Sequence, residues 1–406
     1  RFLFQIYRAV RKSVGKGYPV LIKLNGKDYV RGGLSEKDAH FVARNLDKLG
    51  IDAIEISGGK PSSGDKGPAR VKIRKEADEA ISKINEDRPT VRQQIPLGME
   101  LKPAKQIARD AVEIVQRSIE RVMEGKTPEV GATYDLANKM KESIKRNRDA
   151  LLLLTRIRSK DEYTLYHSIS VSSMVLDMCD YSGVSDQQSL DLAVGALFHD
   201  IGKTLVPHFI LNKPGKLNHE EYYEIQRHVK YSVDLLRKAK GLPLECFDIA
   251  LHHHEKFDGS GYPKGLAGDE ISFGSQLACI CDVFDAITSE RCYKEGMDTV
   301  SGLRKIYEGS GNFFNKELAH DFIKCIGVYP IGTCVVLRDG RNGVVIELTE
   351  DIMKPVIQVF YDENRKKRIK PQMVDLSKTN DVIASYVDPQ KFGITSDQLL
   401  RKIALH

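Results

Sequence analysis

Four ionisable groups in a row, His252–His253–His254–Glu255, followed by the glycine-punctuated turn "KFDGSGYP", place the tightest constraint on how this chain can fold. They close an otherwise apolar stretch, and buried polar groups must be hydrogen-bonded or bound to something. The same intrusion recurs upstream and downstream. His199-Asp200 ends the apolar run "LAVGALFHD", His167 lies in "YTLYHSISVSS", His228 in "EYYEIQRHVKYSVDLL" and Asp282 in "QLACICDVFDAITS". Singly, each would more often be a satisfied core or surface residue than a ligand. Jointly, helices that each offer an imidazole or carboxylate from an apolar context require a fold that gathers them. Such donors, without thiolate, favour Fe, Mn, Zn or Ni over a cysteine-rich structural zinc site. Adjacent histidines on a helix point about 100° apart, so a pair can address two neighbouring ions, as in a binuclear centre.

The rest of the composition is that of an ordinary globular chain. Of its 406 residues, 41% are hydrophobic and 29% charged, a length that allows two or three domains. A net charge of +6 is too small to imply a nucleic-acid polymer as partner, though it suits a small anionic substrate. The seven cysteines contain no CxxC pair and fit a reducing, cytoplasmic setting. No stretch approaches the ~20 apolar residues of a membrane span. The first residues, "RFLFQIYRAVRKSVG", read as an amphipathic helix and not as a signal peptide.

Local signals divide the chain into four. Residues 1–75 carry a strand from about Pro19 to Leu24, a helix capped by Ser35 and stopped by Gly50, and a second strand in "IDAIEISGG", a βαβ unit. Residues 76–150 comprise a proline-punctuated linker and helices at about Pro103–Met123 and Tyr134–Asn147. These can form a connecting hairpin or the seam of a homodimer, with packing on the next domain as the default. Helical patterns dominate residues 151–328. Residues 329–406 form a small β-rich appendage, with hairpin signals at Asp339-Gly340 and Asn342-Gly343. The basic "RKKRIK" within it is most simply a solvated turn. The fold class expected is mainly α: an all-helical core, preceded by a short α/β fragment and followed by a β-rich appendage.

Two resemblances refine this reading. "IKLNG", "GGLSEKDA" and "GIDAIEISGGKPSSGDKGPARVKI" resemble part of the Old Yellow Enzyme family of flavin-dependent TIM barrels. The match covers only residues 1–75, about two of the eight βα repeats a barrel needs, and Lys23 stands where that family usually has a flavin-contacting arginine. No flavin is expected. "HDIGK", "HHEKFDGSGYPKG", "KPGKL" and "CDVFDAITSERCYK", spread over residues 95–406, are similar to the HD-GYP family of metal-dependent HD-domain phosphodiesterases that hydrolyse cyclic di-GMP.

That resemblance implies a ligand set of His167, His199, Asp200, His228, His253, His254 and Asp282, with Asp200 bridging two divalent ions, Fe or Mn favoured, Zn or Ni open. His252 is then the extra histidine. A third ion has no evident carboxylate, since Tyr163 stands four residues before His167, with Glu162 beside it. Lys203 would contact the phosphate or leaving group and serve catalysis with Asp200; Arg291 and Lys294 would grip the substrate phosphates. Gly261, Tyr262 and Pro263 would shape the nucleotide pocket and support contact with GGDEF-domain proteins. The reaction implied is attack by a metal-bridged hydroxide, giving pGpG or, further on, GMP. The alternatives are an inactive cyclic-dinucleotide sensor and an HD hydrolase of another nucleotide.

Overall fold

The computed structural model describes residues 21–27, 53–58, a few positions between 77 and 84, and residues 95–392 except 157–162, 214, 290–295, 350, 352 and 388. The chain divides into two compact units, residues 1–79 and 80–406. In the first, β1 (Leu21–Lys27) and β2 (Ala53–Gly58) pair in parallel, with Leu21 opposite Ala53 and Leu24 opposite Ile56. Parallel neighbours fit the βαβ reading; the helix expected between them lies outside the described residues.

In the second unit, α1 (Leu97–Met123) and α2 (Val130–Arg146) pack on each other. α1 starts earlier than the expected Pro103, which lies inside it. Tertiary contacts hold the turns before the proline. Buried Glu100 accepts from Ser143 Oγ at 2.7 Å and from Arg146 Nε at 2.8 Å, and Leu97 N donates to Glu347 Oε1 at 3.2 Å. Its stripe of Ala104, Ile107, Ala108, Ala111, Val115 and Val122 is buried at three- and four-residue spacing, so both helices join the core.

That core continues through α3 (Arg148–Arg156), α4 (Tyr163–Tyr181) and α5 (Asp186–Phe198). A 3₁₀ turn (Ile201–Leu205) and short α6 (His208–Leu211) lead to α7 (His219–Gln226) and α8 (His228–Leu236). Then come α9 (Leu244–His252), α10 (Phe273–Thr288), α11 (Thr299–Gly309) and α12 (Lys316–Ile326). α4 is buried nearly all round because it lies between two clusters: Ile169 and Leu176 face the α1–α2 side, whereas Val171, Met174 and Val175 face α10 and α12.

The C-terminal segment forms an antiparallel sheet of β3 (Cys334–Leu337), β4 (Arg341–Glu347), β5 (Val356–Asp362), β6 (Lys367–Asp375) and β7 (Ile383–Tyr386), in the order β6-β5-β4-β3-β7. Its Val344, Ile346 and Val356 enter the helical core, while Val335, Ile357 and Val359 fill a small core of their own. Gly340 turns the β3–β4 hairpin at φ +87°. Among the described residues, no helix is long and apolar enough to cross a membrane.

Candidate metal centre

Helix ends, not helix middles, deliver most of the polar groups to the centre. α5 stops at Phe198, so His199 is its C-cap and Asp200 leads into the 3₁₀ turn. His228 is the first residue of α8. The single helix expected over "EYYEIQRHVKYSVDLL" bends at Arg227, between α7 and α8. α7 is fixed by a capping box, in which Asn218 Oδ1 accepts from Glu221 N at 2.8 Å and Glu221 Oε2 accepts from Asn218 N at 2.9 Å. His253 caps α9, and His254 follows it. Only His167 in α4 and Asp282 in α10 lie away from helix ends.

Gly202 sets how closely the turn approaches α8. A Cβ there would lie 2.1 Å from His228 O and 2.4 Å from Ser232 N, both backbone atoms. Ser232 closes the joint, its hydroxyl donating to His199 O at 3.0 Å and accepting from Gly202 N at 2.8 Å. The Gly202→Ala variant is therefore expected to lose about 1–3 kcal/mol of stability through overpacking. It should also bind divalent metal more weakly, because Asp200 is pushed away from His228. Urea unfolding with and without added Mn²⁺ measures both effects.

The sequence-expected ligands converge. Asp200, His228, His253 and His254 form one group of potential metal donors, and His167, His199 and Asp282 a second, with donor atoms within 4.8 Å of one another in each. Asp200 lies between them. Its Oδ2 is 3.3 Å from His199 Nε2 and 3.6 Å from His167 Nε2; its Oδ1 is 3.3 Å from His228 Nε2 and 3.7 Å from His253 Nε2. His167 Nε2 also faces Asp282 Oδ1 at 3.0 Å, and His254 Nδ1 lies 3.8 Å from Asp282 Oδ2.

The ring orientations suit ligation. His199, His228 and His253 rest Nδ1 on the carbonyls of Ala196, Ile225 and Ile249 at 2.7, 2.6 and 2.9 Å, which turns each Nε2 inward. Burial pushes the His253 imidazole down to about 4 and that of His254 well below its ordinary value, so both are neutral, as a metal requires. Burial alone would raise the carboxyls of Asp200 and Asp282. Lys203 and His199 beside Asp200, and His167 beside Asp282, outweigh it and hold both well below the usual carboxylate range. His199 Nε2 and Asp200 Oδ1 are buried without a hydrogen bond, as expected of atoms meant for a cation. Donor set, tautomers and orphaned atoms all fit a pair of divalent ions.

Other expected residues fall around this centre. Lys203 Nζ pairs with Asp200 at the edge of the cluster. Tyr262 lays its ring 4.7 Å from that of His254, and its backbone N donates to His254 O at 3.2 Å. Pro263 follows through a cis peptide bond. The turn is pinned from inside by Glu255, whose Oε1 and Oε2 accept from Lys264 N at 2.7 Å and Leu266 N at 3.1 Å. His252 is in neither donor group; its Nδ1 lies 2.8 Å from Asp248 Oδ1, and Asp248 also takes the hydroxyls of Ser272 and Ser275 at the start of α10. Arg291, Lys294 and Glu162 lie outside the described residues.

Sequence reasoning missed Asp285. Its Oδ2 is 2.6 Å from His167 Nδ1, and both side chains are buried. The available signal was the three-residue spacing from Asp282 in "CDVFDAITS", which puts both carboxylates on one face of α10.

Residues 135–318 match the HD domain family, and this stretch carries the "HDIGK" and "DGSGYP" motifs. Over 255 residues it is 36% identical to the cyclic di-GMP phosphodiesterase PA4108 of Pseudomonas aeruginosa, covering 63% of this chain and 61% of that protein. It is 39% identical over 148 residues to the 3′3′-cGAMP-specific phosphodiesterase 1 of Vibrio cholerae, covering 36% of this chain and 34% of that one. With the cyclic di-GMP phosphodiesterase response regulator RpfG of Xanthomonas campestris it shares 34% identity over 178 residues, covering 43% and 47%. The chain thus spans between about a third and three-fifths of the length of these relatives.

Proposed function

We propose that the chain is a metal-dependent phosphodiesterase that opens cyclic di-GMP to linear pGpG, with GMP as a further product, in bacterial second-messenger signalling. The observation that carries this reading is Asp200, whose two oxygens each face one of two groups of buried imidazoles and carboxylates. His167, His199 and Asp282 would hold one ion, and His228, His253 and His254 the other, with Asp200 shared. Imidazole and carboxylate donors suit Fe, Mn, Zn or Ni, of which the resemblance to the HD-GYP family favours Fe or Mn. Two such ions supply water activated near neutral pH and a counter-charge for the phosphate.

The chain's own groups do the rest. Hydrolysis adds one water: its oxygen joins phosphorus, the P–O3′ bond breaks and the leaving oxygen takes a proton. Lys203, partly exposed beside Asp200, is placed to neutralise the phosphate and to supply that proton. Asp200 is kept ionised by Lys203 and its histidines. Tyr262 packs against His254 and walls the pocket; burial pushes its hydroxyl up, so it acts as a hydrogen-bond donor. Arg291 and Lys294 belong to this reading as phosphate contacts. Exposed Ser260 and Lys264 on the same loop offer a surface to a GGDEF-domain partner. The six described cysteines are buried and form no disulfide with one another, in keeping with a reducing cytoplasm.

Likeness to a 3′3′-cGAMP-specific enzyme supports a second substrate, so both cyclic dinucleotides are to be assayed. The Mn²⁺- or Fe²⁺-loaded protein is expected to convert cyclic di-GMP to pGpG, resolved by chromatography, and the His199→Ala, Asp200→Ala double variant to form none. Preference for 3′3′-cGAMP would move the substrate. Tight binding of either nucleotide without product would make the chain a sensor and sink the catalytic reading.

A further inference from the structure

We infer that Asp285 makes the His167–His199–Asp282 position the tighter of the two metal positions, so that ions load there first; this rests on the metal-centre reading above. The two groups of donors are not equivalent. His199, His228 and His253 each rest Nδ1 on a backbone carbonyl, a neutral dipole. His167 alone among the potential ligands rests Nδ1 on a carboxylate, Asp285 Oδ2 at 2.6 Å. A full negative charge behind the ring makes Nε2 a stronger donor and fixes its direction.

Charge adds to the difference. The His167 position has Asp282 as a donor and Asp285 directly behind another donor, in addition to Asp200. The His228 position has three imidazoles and Asp200 only. Attraction between a divalent ion and two further carboxylates is large in a dry site, where little solvent screens it. Both carboxylates project from α10, three residues apart and buried, so neither has freedom to move away. Asp285 does not reach substrate or reacting atoms. It is a positioning residue that acts through His167.

Calorimetric titration of Mn²⁺ into the metal-free full chain, with bound metal counted by elemental analysis, tests the order of loading. Wild type is expected to bind two ions with separable affinities. Asp285→Asn should raise the Kd of the tighter ion about 10–100-fold, leave the weaker one unchanged, and be partly rescued by Asp285→Glu. His167→Ala and His228→Ala leave Asp285 in place and test the order independently: the first should lose the tighter ion, the second the weaker. Adding Asp285→Asn should weaken the ion that remains in His228→Ala and do nothing in His167→Ala. A purely structural role would weaken both ions alike. The inference is overturned if the affinities are equal in wild type, if Asp285→Asn acts on the weaker ion, or if His228→Ala loses the tighter one. A wild-type chain that binds no Mn²⁺ or Fe²⁺ would overturn the metal-centre reading itself.

Discussion

Asp200→Asn is expected to abolish phosphodiesterase turnover and to remove most of the metal-induced rise in melting temperature, while leaving the metal-free fold intact. The carboxylate has no substitute, because each oxygen serves a different group: Oδ2 faces His199 and His167, and Oδ1 faces His228 and His253. An amide keeps one acceptor and presents an NH₂ to the other group, so at most one ion retains its full donor set. Losing a shared ligand should weaken metal binding by more than the ~10–100-fold typical of residues that only orient ligands. The fold itself should not suffer. Burial disfavours the charged carboxyl, and Lys203 and the histidines are needed to keep it ionised, so removing the charge also removes a desolvation cost. In wild type, an ion at 100 times its Kd adds about 2.7 kcal/mol to stability. Thermal melts with and without Mn²⁺ should therefore separate widely for wild type and much less for Asp200→Asn. A variant whose metal-free melting temperature collapses would show that Asp200 is structural first, and a variant that retains turnover would remove it from the centre.

The site was legible in the sequence to the extent that its residues break a pattern. His167, His199 and Asp282 interrupt apolar helices, and a buried polar group in such a context has to be satisfied somewhere. The fold class was legible for the same reason: helical periodicity runs through most of the chain, and the alternation around Gly340 marks the first hairpin. What stayed hidden depends on contacts far apart in sequence. α1 reaches back to Leu97 because Ser143, Arg146 and Glu347 satisfy its first turns, and no local propensity reveals partners up to 250 residues away. The bend at Arg227, which sets His228 at a helix start, leaves the apolar spacing of the segment nearly continuous. β7 is four residues long and follows the hairpins as an edge strand, too short for alternation to show. Asp285 was in view, but its role depends on where α4 places His167 Nδ1. Ser232 reads as a small polar residue in a helix until the turn at Gly202 is laid against it.

Gly261→Ala is expected to lower kcat/KM for cyclic di-GMP by about 100-fold while leaving the ion at the His167 position bound, because the damage falls on the wall of the pocket. The reason for this glycine is space. A Cβ at position 261 would lie 2.4 Å from Lys256 N, 2.5 Å from Glu255 Cα and 2.6 Å from His254 O. All three are backbone or α-carbon atoms, so no side chain can rotate away and the turn itself has to move. Two anchors resist that movement: Tyr262 N on His254 O, and the two backbone donors held by Glu255. The strain therefore passes to the nearest free element, the Tyr262 ring, and shifts it off His254. His167, His199 and Asp282 come from α4, the end of α5 and α10, none of which carries the loop, so their donor geometry should persist. Ser260→Ala, which changes an exposed side chain and leaves the backbone hydrogen bond of Ser260 N to Asp258 in place, provides the control and should behave as wild type. Steady-state kinetics and metal analysis on the same preparations decide the matter. Loss of both ions in Gly261→Ala would mean that the loop is part of the metal scaffold, and undiminished kcat/KM would mean that the substrate does not meet this wall.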